Sequence, residues 1–358
     1  MAEASAFPDF LAGVKAEVSD ILDRYLAAAG RRYRAINAWG PDSAVRLRAF
    51  VRTGKMLRAG MVMVGHAAAG RRPGPAALRA GTAVELIQAG LLIHDDIIDR
   101  DLVRRGGPSL HIQYARLGRR SGALDAGRFG EGMGICIGDI ALFMGYEILA
   151  GLPAAPAPRA EILRLWSDDL CRVGLAQMQD LAFGQTFPDA TEAEIRRLYI
   201  NKTGRYTFSA PLRTGAILGG GGAGLTKKLA CLGEVLGLLY QMRDDELGLY
   251  GTAAALGKPV GSDVREAKLT LFMRRLFDQA GAGDRRRLAA LFGNPKLDAA
   301  MLREVRAIAE RSGVREEMRR ETARLRVRAV RMIGDLDVPS ASRRRLLSLL
   351  DYVVERDR

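Results

Sequence analysis

Leu91-Leu92-Ile93-His94-Asp95-Asp96-Ile97-Ile98-Asp99 places three carboxylates at the end of an apolar run. An apolar helix does not take up three acids without compensation, because a buried charge has to be paired or metal-bound. At helical spacing Asp95 and Asp99 share one face, one turn apart. Two carboxylates so placed, with water and phosphate oxygens completing the shell, suit Mg²⁺. The competing reading is a helix end with solvated acids. It weakens further along the chain, where Leu238-Leu239-Tyr240-Gln241-Met242-Arg243-Asp244-Asp245 repeats the pattern of apolar helix followed by paired aspartates. Two such helices facing each other across a cavity would hold several divalent ions and one polyanion. Basic residues accompany both: Lys55, Arg58, Arg104 and Arg105 with the first, Lys202, Lys258 and Lys268 with the second. Arginine grips phosphate bidentately and lysine acts as a point charge, so the combination points to diphosphate chemistry.

The chain around these clusters reads as helix. Leu11, Val14, Val18, Ile21, Leu22, Tyr25 and Leu26 form a helical stripe, and Thr191 with Glu194 has the form of a capping box. Glycine and proline punctuate the chain at segment lengths that suit helices, and the only β-type run is Met61 to Val64. The expectation is an all-α, single-domain helical bundle over residues 1–358, with residues 116–129, polar and glycine-containing, as an inserted surface loop. Gly219 to Gly224 lacks the ending of a phosphate-binding loop, and Gly132-Met133-Gly134 lacks the third glycine of a dinucleotide motif.

Composition narrows the classes further. With 48% hydrophobic and 27% charged residues among 358, wholesale disorder is excluded. Cys136, Cys171 and Cys231 are scattered and odd in number, which argues against a disulfide framework or a paired-cysteine zinc site and fits a reducing cytoplasm. The N-terminus has no signal-peptide pattern. The apolar window from Gly132 to Leu152 contains Asp139 and Glu147, so it reads as a buried core helix and not a transmembrane segment. The net charge of +14 invites a nucleic-acid reading, yet the arginines are dispersed, aromatics make up only 6%, and no nucleic-acid-binding motif occurs. The expectation is a protein without a nucleic-acid partner.

Taken in order, Gly54-Lys55-Met56-Leu57-Arg58, Asp95-Asp96-Ile97-Ile98-Asp99, Arg104-Arg105-Gly106, Lys202-Thr203, Gln241-Met242-Arg243-Asp244-Asp245 and Gly257-Lys258-Pro259-Val260-Gly261-Ser262-Asp263 with Lys268 resemble the motifs of the trans-isoprenyl diphosphate synthase family. The resemblance implies an all-α fold around a deep central cavity, a homodimer, and Mg²⁺ (with Mn²⁺ as a substitute) for condensing isopentenyl diphosphate with an allylic diphosphate. It implies metal ligation by Asp95, Asp99 and Asp244, with Asp245 as a supporting ligand and Asp96 beside the first pair. Arg104, Lys202 and Lys258 would hold the allylic diphosphate, with Lys268 near its phosphate, while Lys55, Arg58, Gln88 and Arg105 would hold isopentenyl diphosphate. Thr203 and Gln241 would flank the developing cation, and Gln177 and Asp180 match a polar pair on a middle helix.

Two positions depart from the pattern: Gly248 stands where many relatives carry a third aspartate, and Ala59 where proline is common. A class I terpene cyclase would not need the second diphosphate site that Lys55, Arg58, Gln88 and Arg105 imply. A non-catalytic subunit would have lost motif residues that this chain keeps. For product length, the resemblance directs attention to Gly90 and Leu91 upstream of the first aspartate, to Ile87 one turn further, and to Phe143 and Met144 as a deeper floor. Without an early aromatic, the expected product is geranylgeranyl diphosphate, with farnesyl diphosphate or a somewhat longer product as alternatives.

Overall fold

The computed structural model describes residues 6–185, 190–252 and 260–355, and these are helical almost throughout. The chain divides into two compact units, Met1–Arg164 with Pro211–Gly222, and Leu165–Ala210 with Ala223–Arg358.

In the first unit, α1 (Phe7–Tyr33) carries Pro8 in its first turn, where a missing N–H does no harm, and buries Leu11, Val14, Val18, Leu22 and Leu26 along one stripe. Then follow α2 (Trp39–Arg52), α3 (Leu57–Ala68) and α4 (Pro75–Ile98). The Met61 to Val64 run lies inside α3, buried on all sides, which explains why its pattern is not helical amphipathy. The only strands among the described residues are β1 (Val103–Arg104) and β2 (Gly107–Pro108), an antiparallel pair with Val103 opposite Pro108. After them come α5 (Leu110–Arg120) and α6 (Ala126–Ala150).

These helices correct two expectations. Residues 116–129 are not an inserted loop: α5 and α6 leave only 121–125 between them, and the Asp125 carboxylate caps α6 by accepting the Arg128 N–H. The polar residues there are solvent faces of helices, opposite buried Ala115 and Gly118. The apolar window of α6 is only 44% buried, because Ile135, Ile140 and Phe143 point outward. By length and composition alone α4 and α6 could each cross a membrane, although the window of α4 is 72% buried within the fold.

Both units contain α7 (Pro156–Gln185) and α9 (Ala210–Leu218) residues. In the second unit α8 (Glu192–Tyr199) starts at the Thr191–Glu194 capping box, with both reciprocal hydrogen bonds formed. It runs directly into ten residues of π-helix, Ile200–Ser209, which lie along α10 (Ala223–Tyr250). Glycine allows the approach: a Cβ on Gly237 would fall 2.1 Å from the Cα of Gly204, and one on Gly233 2.5 Å from the Ser209 backbone. The remaining helices are α11 (Ser262–Arg265), α12 (Leu271–Gln279), α13 (Ala282–Leu291), α14 (Ala299–Arg311), α15 (Val314–Gly334) and α16 (Ser340–Glu355). A core that includes Tyr199, Leu271, Phe272, Val305 and Met318 joins several of them to α8 and α10.

The α4–α6 contact also revises the residues expected to limit product length. A Cβ on Gly90 would lie 2.7 Å from the Gly138 carbonyl oxygen, and one on Gly145 would lie 2.6 Å from Ile87 Cγ1. Gly90 and Ile87 therefore seal α4 against α6 instead of lining space for a tail. Phe143 is 74% exposed, and buried Met144 borders an open groove on the surface. Leu91 is half-buried. Gly90→Phe is expected to destabilise the fold by about 3 kcal/mol or more through overpacking against backbone. Thermal unfolding checks this: a variant melting with the wild type would show that the two helices separate freely here.

Candidate functional site

The first acidic cluster forms where α4 ends. The Asp99 N–H closes the last turn onto the Asp95 carbonyl, and the Asp101 N–H bonds the Asp96 carbonyl at 2.8 Å. The pair is split by burial: Asp95 is part-exposed, whereas Asp96 is 1% exposed. Arg104 compensates Asp96 through Nε and Nη2 and also reaches Asp101 at 2.9 Å and Asp95 at 3.9 Å. Burial still pushes the Asp96 carboxyl up to about 7 against the pull of Arg104. Its Oδ2 has no hydrogen-bond partner among the described residues.

A second buried acid stands near Arg58 and Arg105. Glu85 on α4 accepts the Ala59 N–H at 2.9 Å, at the start of α3, next to the Arg58 charge. Burial raises the Glu85 carboxyl, and Arg58 together with the Ala59 N–H opposes that rise. One turn further along α4, Gln88 is buried with its Oε1 unpartnered among the described residues. Arg105 donates to the Phe50 carbonyl at 3.1 Å and lies 5.4 Å from the centre of the Phe50 ring. Lys55 is exposed in the turn before α3.

Backbone strain marks the same residues. Among the described residues four non-glycines have positive φ: Met56, Arg100, Arg105 and Ala267. Met56 follows Lys55, Arg100 follows Asp99, and Ala267 precedes Lys268. Arg105 with Gly106 makes the two-residue turn between β1 and β2, with both φ values positive as a primed hairpin turn requires. Such conformations are held at about 1–3 kcal/mol each by their surroundings and gather at functional sites. No residue type in the sequence announced them, since only glycine and asparagine signal this conformation.

The second unit repeats the split pair. Asp244 is half-buried, whereas Asp245 is 3% exposed and fully engaged. Tyr199 donates its hydroxyl to Asp245 Oδ2 while accepting the Leu271 N–H at 2.8 Å, and Gln241 Nε2 donates to Oδ1 at 3.3 Å. Burial holds both the Asp245 carboxyl and the Tyr199 phenol well above their ordinary ranges. Asp245, expected as a metal ligand, thus has both oxygens committed to the fold; sequence reasoning missed Tyr199 as its partner. Thr203 Oγ1 donates to Gln241 Oε1 at 3.1 Å, and Lys202 pairs with Asp180 on α7. Arg205, not foreseen either, ties the π-helix to Asp169 at 2.6 Å and Glu234 at 2.9 Å. Asp263 Oδ2 lies 2.8 Å from where a Cβ on Gly248 would be, so a carboxylate from α11 occupies the space of that missing side chain. Lys268 pairs with Glu266 at 3.2 Å. Gln177 is half-buried, and Lys258 lies outside the described residues.

Among the described residues no three acidic, histidine or cysteine side chains converge into a preformed metal cage. Mg²⁺ is commonly held by one or two carboxylates with the rest of its shell from water and substrate phosphate. Asp95, Asp99 and Asp244, oxygen donors left part-exposed, fit that mode.

The profile of the polyprenyl synthetase family matches residues 45–309. The chain belongs to this family, the trans-isoprenyl diphosphate synthases, and is a prenyltransferase. It is 31% identical to a short chain isoprenyl diphosphate synthase of Methanothermobacter thermautotrophicus, across 95% of this chain and 99% of that protein. A geranylfarnesyl diphosphate synthase of Aeropyrum pernix is 30% identical over 78% of this chain and 83% of its own. Among solved structures, the geranylgeranyl pyrophosphate synthase of Corynebacterium glutamicum, complexed with isoprenyl diphosphate and magnesium, superposes with a TM-score of 0.90 at 27% identity, covering 99% of this chain and all of that one.

The Asp96–Arg104 pair yields a stability expectation. Arg104→Ala should lower stability by about 2–3 kcal/mol, discounted for the partial exposure of the guanidinium, because it strands a buried carboxylate. Asp96→Asn in the same chain should recover part of that loss. Urea unfolding of the two single variants and the double tests it; strictly additive losses would mean the pair is not coupled.

Proposed function

We propose that this prenyltransferase condenses isopentenyl diphosphate with an allylic diphosphate, in a Mg²⁺-dependent reaction, to release diphosphate and a trans-prenyl diphosphate of geranylgeranyl length. The observation that carries it is the split of each aspartate pair: Asp96 and Asp245 are locked inside, and their neighbours Asp95 and Asp244 are left accessible. Asp95, Asp99 and Asp244 would hold the metal, which when bound supplies Lewis-acid neutralisation of the leaving diphosphate.

The chain's own residues supply the rest. Arg104, Lys202, Lys258 and Lys268 bind the allylic diphosphate; Lys55, Arg58, Gln88 and Arg105 bind isopentenyl diphosphate. Fixed cations aimed at a departing diphosphate stabilise its growing charge without reorganising. Thr203 and Gln241, hydrogen-bonded to each other, present oxygen dipoles to the developing allylic cation. Lys202 is ion-paired with Asp180, which positions its ammonium group for the diphosphate. Apolar surroundings keep water from the cation until the isopentenyl double bond attacks it; the resulting cation then passes a proton to the released diphosphate, which restores an allylic double bond.

Residues 1–358 act as one catalytic domain in this reading, in the cytoplasm and without a nucleic-acid partner. A homodimer accounts for the apolar face of α6, where Ile135, Ile140 and Phe143 are exposed beside a groove of about 600 Å³. For product length, support comes from Leu91 in place of an aromatic and from the similar geranylgeranyl pyrophosphate synthase.

The purified chain, given isopentenyl diphosphate, allylic primers and Mg²⁺, should make a C20 product by chromatography after dephosphorylation. A cyclised hydrocarbon, or no activity without a second subunit, overturns the reading. Asp95→Ala should retain the wild-type circular dichroism yet lose turnover by more than about tenfold, or roughly 1.4 kcal/mol of barrier. Lys55→Ala should raise KM for isopentenyl diphosphate about tenfold or more, with KM for the allylic substrate little changed, because it removes a charge-assisted contact at one site only. Equal effects on both substrates would show that the sites are not divided this way.

A further inference from the structure

Helix α15 (Val314–Gly334) lies outside every motif used above, and its outer face is unusual. Arg320, Arg324, Arg328 and Arg331 are all exposed, and their spacing of four, four and three residues puts them on one stripe about three turns long. None of the four makes an ion pair or a side-chain hydrogen bond among the described residues. Their neighbours contrast with this: Arg326 pairs with Asp351 at 2.7 Å, Arg315 with Glu310 at 2.7 Å, and Arg319 approaches Glu246 at 3.8 Å. From Arg319 to Arg331 the helix carries six arginines and one acid, Glu321, which is engaged by Arg196 and Arg275.

Like charges one turn apart destabilise a helix, so the stripe is supported by the packing of the opposite face, where Val314, Met318, Ala329 and Ile333 are buried. Beside the stripe Val327 is 52% and Val330 41% exposed. A face that alternates unpaired arginine with short apolar side chains matches a surface that offers anions and hydrocarbon together. Arginine alone would serve any polyanion; the exposed valines add nothing on phosphodiester backbones but gain by entering the headgroup region of a bilayer.

We propose that the α15 stripe docks the enzyme peripherally on anionic lipid bilayers. Its use rests on the function proposed above: a prenyl diphosphate joins an anionic head to a long apolar chain, and an enzyme already on the bilayer can deliver it there without passage through water. Binding itself needs no substrate, so the two proposals fail separately.

The test is co-sedimentation of the whole protein with vesicles of phosphatidylcholine alone or with about a third phosphatidylglycerol, without substrate, at low and physiological salt. Wild type should bind the anionic vesicles and not the neutral ones, more weakly as salt rises. Neutralising Arg320, Arg324, Arg328 and Arg331 to Gln should weaken binding about 100-fold or more, given the usual gain for each arginine at an anionic surface. A control variant with Arg72, Arg79, Arg286 and Arg303 changed to Gln removes the same charge from exposed positions elsewhere and should bind within about threefold of wild type. Both variants should keep wild-type turnover with soluble short-chain substrates. Equal weakening in the two variants, or no binding of wild type to anionic vesicles, overturns the proposal. Stripe-dependent binding to RNA without vesicle binding overturns the lipid assignment.

Discussion

A carboxylate buried in the interior of a helix bundle must find a partner there, and in each unit that demand decides which way the aspartate pair faces. Asp96 turns in to Arg104 and Asp245 turns in to Tyr199 and Gln241. Because adjacent residues on a helix point about a quarter turn apart, fixing the second aspartate fixes the first near the surface. The accessible acids are therefore oriented by acids that never meet solvent. Removing a buried partner upsets stability and orientation together, because a stranded charge is far more unfavourable than a paired one is favourable.

A second constraint is clearance. The π-helix from Ile200 to Ser209 can lie against α10 only because Gly204, Gly233 and Gly237 bring backbone to backbone, and that proximity sets Thr203 on Gln241. Widening the turn by one residue shifts side-chain directions along the segment, and Arg205, clamped by Asp169 and Glu234, keeps the shift in register. In the other unit, glycines at 90, 138 and 145 let α4 and α6 close on each other.

Much of this was legible in the residues. Helical periodicity, the Thr191–Glu194 cap and the two acidic clusters set in apolar runs came through because each is local: spacing alone reports it. Residues 116–129 misled because two short helix ends with polar outer faces have the composition of a loop, and the small buried Ala115 and Gly118 say little in sequence. Gly90 misled because an absent side chain can mean either open space or a close neighbour, and only tertiary packing tells which. The commitments of Asp245 to Tyr199 and of Arg205 to Asp169 join residues 46 and 36 positions apart, and no local pattern encodes such pairs.

The positive φ values at Met56, Arg100, Arg105 and Ala267 have a consequence for anyone wishing to harden this enzyme. Glycine adopts that conformation freely, so exchanging a strained residue for glycine relaxes the folded backbone, although it also loosens the unfolded chain. Each of these positions borders a residue assigned to substrate or metal, and Arg105 is one itself. Thermostability gained there would be drawn from the turns that hold the charged groups in place, so robustness and turnover are set against each other at these four points.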